Sequence, residues 1–272
     1  MAEEKPRLLI VEDDLDIADM LRITVIIPTY NEAENLPKLV SALFALPLNL
    51  ALLVVDDNSP DGTGRLADEL AAQHPGRIGV IRRSGKLGLR SAYLTGFKAA
   101  LEDGAQAIAQ MDADFSHAPA SLVEMATRLE RCDVVLGSRY ILGGRVDEGW
   151  PLWRKGLSAW ANFYARTILG MSLQDVTTGF RLWRRETLMG MPLECIQGSG
   201  YVFLVEMVYL AYCLEYKIGE VPIYFADRRW GDSKMSFRIQ IEAALRVWTI
   251  LWTYRDLRHK GATARLPVIS DQ

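Results

Sequence analysis

Two aspartates one residue apart, Asp112 and Asp114, offer the sharpest chemistry in this 272-residue chain. Carboxylates at i and i+2, where a strand turns into a loop, can aim at one divalent cation, and hard oxygen ligands of this kind suit Mg²⁺ or Mn²⁺ bridged to phosphate. An isolated Asp-x-Asp is ordinarily a solvated turn, but this one has company. Pro28-Thr-Tyr-Asn-Glu32 and Asp56-Asp-Asn-Ser-Pro-Asp-Gly62 are polar clusters of the same kind. In them Tyr30 offers a ring face for a nucleobase and Asp57 an acceptor for its N–H groups, where the plainer reading is a tight turn with an Asx cap. Arg139, and Arg228, Arg229 and Lys234 around Trp230, are cations suited to phosphate, since a guanidinium grips it bidentately; taken singly, each reads as a solvated surface charge. Lys86-Leu-Gly-Leu-Arg-Ser-Ala92 places a glycine ahead of a helix, a weak anion cue, and lacks the spacing of a P-loop.

These clusters need a frame. From residue 7 to 137, short β-branched runs alternate with helical patterns, which predicts strands at 8–11, 23–27, 50–55, 78–82, 107–111 and 133–137. Helices are expected between them at 13–21, 33–45, 63–73, 89–102 and 119–130. Such a β-α rhythm implies an α/β fold with a mostly parallel sheet flanked by helices, which binds ligands at the carboxyl ends of its strands. The polar clusters fall at those ends. Beyond Gly137 the expectation is a helix at 151–170, a strand at 180–183, a helix at 202–214, a strand at 217–224 and a last helix at 236–257. In that last helix Arg238, Glu242, Arg246, Thr249 and Thr253 form a polar stripe opposite Phe237, Ile241, Leu245, Trp248, Leu251 and Trp252. That aromatic side suits either the interface of a bilayer or the domain core.

Composition sets the outer bounds. Half the residues are apolar and 24% charged, enough for a sizeable core and incompatible with a disordered or collagen-like chain. Three scattered cysteines without a CxxC pair point to thiols in a reducing compartment, and the protein is read as intracellular. The N-terminus is acidic where a secretion signal is basic, and the apolar windows near 195–214 and 236–254 are interrupted by charge, so no spanning helix is expected. The net charge of −3 conceals a division: residues 1–149 hold 15 basic and 23 acidic side chains, residues 150–272 hold 16 and 11. All seven tryptophans follow residue 149. A basic, aromatic part suits a membrane surface or nucleic acid, but its arginines form no basic run, which argues against nucleic acid.

With the clusters in view, residues 23–254 resemble the polyprenol-phosphate (dolichyl-phosphate) mannose synthases, inverting glycosyltransferases of the GT-A fold. The resemblance lies in PTYNEAENLP (28–37), VVDDNSPDGT (54–63), KLGLRSAY (86–93), MDADFSH (111–117), GSRY (137–140), DVTTGFRLWRRE (175–186), GYVFLVEM (200–207) and GEVPIYFADRRWGDSKM (219–235). It implies that Pro28, Tyr30, Glu32, Val55 and Asp57 surround the guanosine of GDP-mannose, and that Asp112, Ala113 and Asp114 hold its diphosphate and an Mg²⁺ or Mn²⁺ ion. Arg139, Arg228 and Lys234 would then hold phosphates of donor and acceptor, with Asp112, Asp114, Arg139 and Arg228 as the catalytic set. The acceptor would be a polyprenyl phosphate in a membrane, reached by peripheral association with its cytoplasmic face, with a separate anchoring protein as a further partner. Such a phosphate is already anionic, so no base is required, and His117 is read as structural. Two departures stand out: Ser116 stands where some members place a glutamine metal ligand and others a serine, so that the third ligand would be a water or the Ser116 hydroxyl, and Ala159 follows Ser158 where many members carry an arginine facing the acceptor phosphate. Arg154, Arg166 and Arg229 are the candidates to compensate.

Residues 7–22, RLLIVEDDLDIADMLR, instead resemble the start of a response-regulator receiver domain. In that reading Asp13 and Asp56 would be the metal and phosphoacceptor carboxylates. It fails where a receiver needs a lysine at the fifth strand and this chain has Asp112-Ala-Asp114. The expected organisation is therefore an extension of unassigned role (1–22), a GT-A domain (23–235), an amphipathic helix (236–257) and a tail (258–272).

Overall fold

The computed structural model describes residues 21–227 and 237–260, except the side chains of 237–243 and 258–260. The expected elements before residue 21, the loop residues Arg228, Arg229, Trp230 and Lys234, and the tail beyond residue 260 lie outside the described residues.

Strands β1 (Ile23–Thr29), β2 (Leu50–Asp56), β3 (Ile78–Arg82), β4 (Ala107–Gln110), β5 (Val134–Ser138), β7 (Arg181–Arg184) and β8 (Ile218–Pro222) form one sheet in the order β3-β2-β1-β4-β7-β5-β8. All neighbours are parallel except β7, which runs antiparallel to both β4 and β5. A two-stranded parallel ribbon, β6 (Arg145–Val146) with β9 (Tyr224–Phe225), stands beside it.

Alternating side chains feed two cores, as a two-faced strand must. Val25 and Ile27 of β1 join helices α1 (Leu36–Phe44), α2 (Thr63–Gln73) and α4 (Ser121–Leu129) on one face. Ile26, between them, joins α3 (Leu89–Glu102), α6 (Arg185–Gly190), α7 (Tyr201–Cys213) and α8 (Phe237–Lys260) on the other. The approach of α3 is so close that a Cβ at Gly96 would stand 2.6 Å from Ile26, so only glycine lets this helix seat.

Helix α5 (Leu152–Ile168) is different, with only Asn162 and Ala165 buried. The side of α8 expected to be apolar is largely exposed where its side chains are described, and the side that packs on the core is a different one. Val247, Ile250, Tyr254 and Leu257 are buried, whereas Leu245, Trp248 and Trp252 are exposed. Tyr254 anchors the buried side by donating to Glu206 of α7 at 2.9 Å. That buried carboxylate also accepts the N–H of Gln197 at 3.2 Å and of Gly198 at 2.6 Å, which satisfies it without an ion pair among the described residues.

Candidate active site

The sheet order decides which loops meet. Because β1 continues to β2 on one side and to β4 on the other, the crevice opens between the carboxyl ends of β1 and β4, where such sheets take ligands. Across the edge run, in spatial order, Arg83 after β3, Asp56-Asp57 after β2, Tyr30 after β1, Asp112-Ala113-Asp114 after β4, the start of β7 and Arg139 after β5. The sequence clusters thus converge.

Three of these loops carry a residue other than glycine at positive φ: Asn31 at 64°, Asn58 at 56° and Phe115 at 61°. Asparagine tolerates this region, but an aromatic residue there costs about 1–2 kcal/mol, and such strain gathers at functional sites. At Phe115 it bends the chain between Asp114 and Ser116, so that Ser116 N–H donates back to Asp114 Oδ1 at 3.0 Å. Asp114 and Ala113 are buried and Asp112 is half-buried.

His117 closes the loop from below. It is fully buried, stacked on Phe180 and edge-on to Phe225, and its Nδ1 accepts the Asp112 N–H at 3.3 Å. Burial depresses its basicity against the opposing pull of Asp112 and Asp114. An imidazole so placed holds the Asp112 backbone and packs beneath the two carboxylates.

At the β1 and β2 ends of the crevice, Glu32 N–H donates to Thr63 Oγ1 at 2.9 Å, and Glu32 accepts from Asn35 Nδ2 at 2.8 Å. The Tyr30 ring faces Lys86, whose Nζ lies 4.1 Å from its centroid, and Pro28 is half-buried beside it. Val55 is fully buried in the core, so its side chain supports the crevice from beneath. Asp57 forms a buried ion pair with Arg83, a residue the sequence reading passed over because nothing in its spacing ties it to Asp57. Arg83 Nη1 is buried with no hydrogen-bond partner among the described residues.

Arg139 sits in a tight cage. Its Nε donates to Asp175 Oδ2 at 2.7 Å, its Nη2 to Asp175 Oδ1 at 2.8 Å and to Thr177 Oγ1 at 2.7 Å, and its backbone N–H to Asp175 Oδ2 at 3.0 Å. Burial works against the ionised form of Asp175, but the adjoining guanidinium outweighs it and holds the carboxyl below its usual range. The pairing partner lies 36 residues along the chain and was legible only as part of a longer motif.

The glycosyl transferase family 2 model matches residues 24–190, from the second residue of β1 through β7, and so spans the crevice. The chain belongs to this family. Polyprenol monophosphomannose synthase of Mycolicibacterium smegmatis is 44% identical over 83% of the chain and 85% of its own length. Undecaprenyl-phosphate mannosyltransferase of Micrococcus luteus is 41% identical over 88% of the chain and 98% of its own. Among solved structures, glucosyl-3-phosphoglycerate synthase from Mycobacterium tuberculosis, with Mn²⁺, UDP and glucosyl-3-phosphoglycerate, superposes with a TM-score of 0.60. It is 18% identical and covers 93% of the chain and 86% of its own, a likeness of fold. The enzyme is a glycosyltransferase of the GT-A fold.

As a member of glycosyl transferase family 2, the chain brings two metal-type carboxylates and not a full cage. Among the described residues no cluster of three or more His, Cys, Asp or Glu side chains could hold an ion alone. Asp112 and Asp114 fit a cation that keeps water and takes its remaining ligands from a diphosphate, as Mg²⁺ and Mn²⁺ do. Ser116 Oγ, buried beside Asp114 with no hydrogen-bond partner among the described residues, fits as a weak further oxygen. Of the cations weighed for the acceptor side, Arg154 pairs with Asp227 at 2.9 Å, next to the position of Arg228. Arg166 is engaged with Gln174 and the Leu173 carbonyl at the far end of α5. Ser158 Oγ shares a hydrogen bond with Tyr140 OH at 2.8 Å.

Proposed function

We propose that this glycosyltransferase moves mannose from GDP-mannose to a polyprenyl phosphate with inversion, giving polyprenyl-phosphate mannose. The observation that carries the reading is the juxtaposition of Asp112 and Asp114 with Arg139 across one strand, on a chain 41–44% identical to two enzymes named for mannosyl transfer to polyprenyl phosphates. The nucleotide would lie over Pro28, Tyr30, Glu32 and Asp57. Its diphosphate would rest at Asp112, Ala113 and Asp114 with Mg²⁺ or Mn²⁺, which supplies Lewis-acid neutralisation of the leaving group.

The remaining work belongs to positioning. A phosphate oxygen is a nucleophile without proton removal, so the protein's task is to align it with C1 and offset phosphate–phosphate repulsion. Arg139, Arg228 and Lys234 are the cations for that task. His117, buried and bound to the Asp112 backbone, takes no part in proton transfer.

The acceptor is a membrane lipid, and among the described residues no helix is long and apolar enough to cross a membrane. Peripheral docking on the cytoplasmic face is supported by α5 and α8, which meet through Trp248 Nε1 donating to Tyr164 OH at 2.9 Å and Tyr164 OH donating to the Ala244 carbonyl at 3.1 Å. Their outer side carries Trp153 at 70% exposure, Trp160 at 55% and Trp252 at 65%. Arginines 166 and 255 lie over neighbouring aromatic rings, the mixture that an anionic headgroup layer favours. A separate anchoring protein is compatible with the same surface.

A second donor reading, a UDP-hexose, is favoured by the UDP in the structural neighbour. Incubation with a panel of labelled nucleotide sugars, polyprenyl phosphate and Mg²⁺ or Mn²⁺, followed by organic extraction, tests both. Label entering the lipid phase from GDP-mannose supports the proposal; entry from UDP-hexoses alone would move the donor, and no lipid-linked label from any donor would overturn the reading.

A further inference from the structure

Between the carboxylate pair and Arg139 lies a turn, Asp175–Gly179, that enters β7. Four backbone groups of this turn, and one just before it, are held by side chains from elsewhere. Asn162 of α5 accepts the Val176 N–H at 2.9 Å, and Glu220 of β8 accepts the N–H groups of Gln174 and Asp175 at 2.9 Å each. From beneath, Arg181 donates its Nε to the Thr178 carbonyl at 2.9 Å and its Nη2 to the Val176 carbonyl at 3.3 Å.

Arg181 is an expensive residue for a merely structural duty. It is fully buried, it has no ion-pair partner among the described residues, and its Nη1 has no hydrogen-bond partner among them. A buried cation in that state costs more than an apolar side chain of similar volume would. What it secures is the turn, and the turn faces the chemistry on both sides. At one end Asp175 and Thr177 hold Arg139 through four hydrogen bonds. At the other, a Cβ built at Gly179 would lie 3.5 Å from the His117 ring and 3.8 Å from Asp112 Oδ2, so the backbone there abuts the metal-type carboxylate.

We propose that the Asp175–Gly179 turn is the spacer that sets the separation between donor diphosphate and acceptor phosphate, with Arg181 and Thr177 as its positioning residues. The inference rests on the reading of Asp112, Asp114 and Arg139 given above. Neither Arg181 nor Thr177 touches substrate; each acts through the turn or through Arg139. Since a misplacement of about 1 Å can cost roughly 10²-fold in rate, a loosened turn should affect turnover far more than nucleotide binding.

The test compares Arg181→Met, Arg181→Lys and Thr177→Val with wild type in three measurements: thermal melting, affinity for GDP with Mn²⁺ by calorimetry, and kcat and acceptor KM with polyprenyl phosphate and the donor that wild type uses. Expected for Arg181→Met are a melting curve close to wild type, GDP affinity within about threefold and kcat lower by about 10²-fold, with part of the loss restored in Arg181→Lys. Thr177→Val, which removes one of the bonds on Arg139, should raise acceptor KM or lower kcat by about tenfold with GDP affinity unchanged. Wild-type kcat and acceptor KM in a folded Arg181→Met would overturn the proposal. If that variant fails to fold, unchanged kinetics in Thr177→Val overturn it instead. Absence of transfer in the wild-type protein would count against the functional reading itself, and is thereby distinguished from failure of the spacer.

Discussion

Asp114 and Asp175 are both buried carboxylates in loops at the same edge of the sheet, and their surroundings give them opposite work. Asp175 is consumed by Arg139, whereas Asp114 is bound by the backbone N–H of Ser116 and stands beside a hydroxyl with no partner among the described residues. Asp114→Asn should therefore fold normally and lose transfer by about 10³-fold or more, because a metal carboxylate supports several kcal/mol of charge stabilisation. Initial rates over a range of Mn²⁺ concentrations, beside a melting curve, check this; wild-type turnover would refute the metal assignment. Asp175→Asn should differ in also costing about 3 kcal/mol or more of stability at pH 7, by leaving Arg139 buried without a counter-charge. The folded-state pKa of Asp175 is depressed, so its contribution is fully present above the unfolded value near 4 and is lost as the pH falls through the lower folded value. The stability gap between wild type and Asp175→Asn should shrink below about pH 4, as denaturant melts at pH 7 and pH 3 would show. The sequence reveals Asp114 through its local Asp-x-Asp spacing. It does not mark Asp175 as the partner of Arg139, because an ion pair between residues of two loops far apart in the chain leaves no local pattern.

At the scale of elements, local periodicity reported well and tertiary choices did not. Helices at 63–73 and 89–102 and the strand at 78–82 coincide with α2, α3 and β3, whose patterns are set by burial on one known side. The strand near 180–183 was legible, but its antiparallel direction was not, since direction follows from the path between strands and not from residues within one. The two-residue strands β6 and β9 are too short to show any alternation. Helix α8 shows a further limit: the stripe of Leu245, Trp248 and Trp252 read from the sequence faces outward, and the helix is seated on the core by a different side that the stripe did not include. Val247, Ile250, Tyr254 and Leu257 hold the helix down while Trp248 and Trp252 face outward. Because Trp153 and Trp252 are mostly exposed, Trp153→Ser and Trp252→Ser should leave the melting temperature within about 2 °C of wild type, since surface substitutions usually change stability by no more than about 0.5 kcal/mol. Each should weaken co-sedimentation with anionic vesicles by about tenfold, the share of a tryptophan that leaves water at the interface. Unchanged co-sedimentation in the double variant would remove this face from the membrane reading.

For the whole molecule, the charge division noted in the sequence acquires a location. The acidic part contains the crevice that would take the cation and nucleotide, and the basic part contains α5, α8 and the exposed tryptophans. The first 20 residues cut across this division, since they hold seven acidic and two basic side chains. They precede both the family match, which begins at residue 24, and the first strand among the described residues, which begins at Ile23. Arg22 belongs to the fold, with its backbone N–H on Gln106 at 2.8 Å and its guanidinium paired with Asp103, so a cut after residue 20 keeps that anchor. Removing residues 1–20 changes the formal net charge from −3 to +2. The shortened chain should retain its rate of transfer to a detergent-solubilised acceptor, because it keeps every crevice residue among the described ones. It should bind anionic vesicles several-fold more tightly at low ionic strength, and the difference should vanish in about 1 M salt, where the Debye length falls to about 3 Å. Rates in detergent and vesicle sedimentation across a salt series separate the two effects. A truncated enzyme that folds but no longer transfers would assign the extension a part in catalysis, and vesicle binding unchanged at low salt would show that its charge is screened from the membrane-facing side.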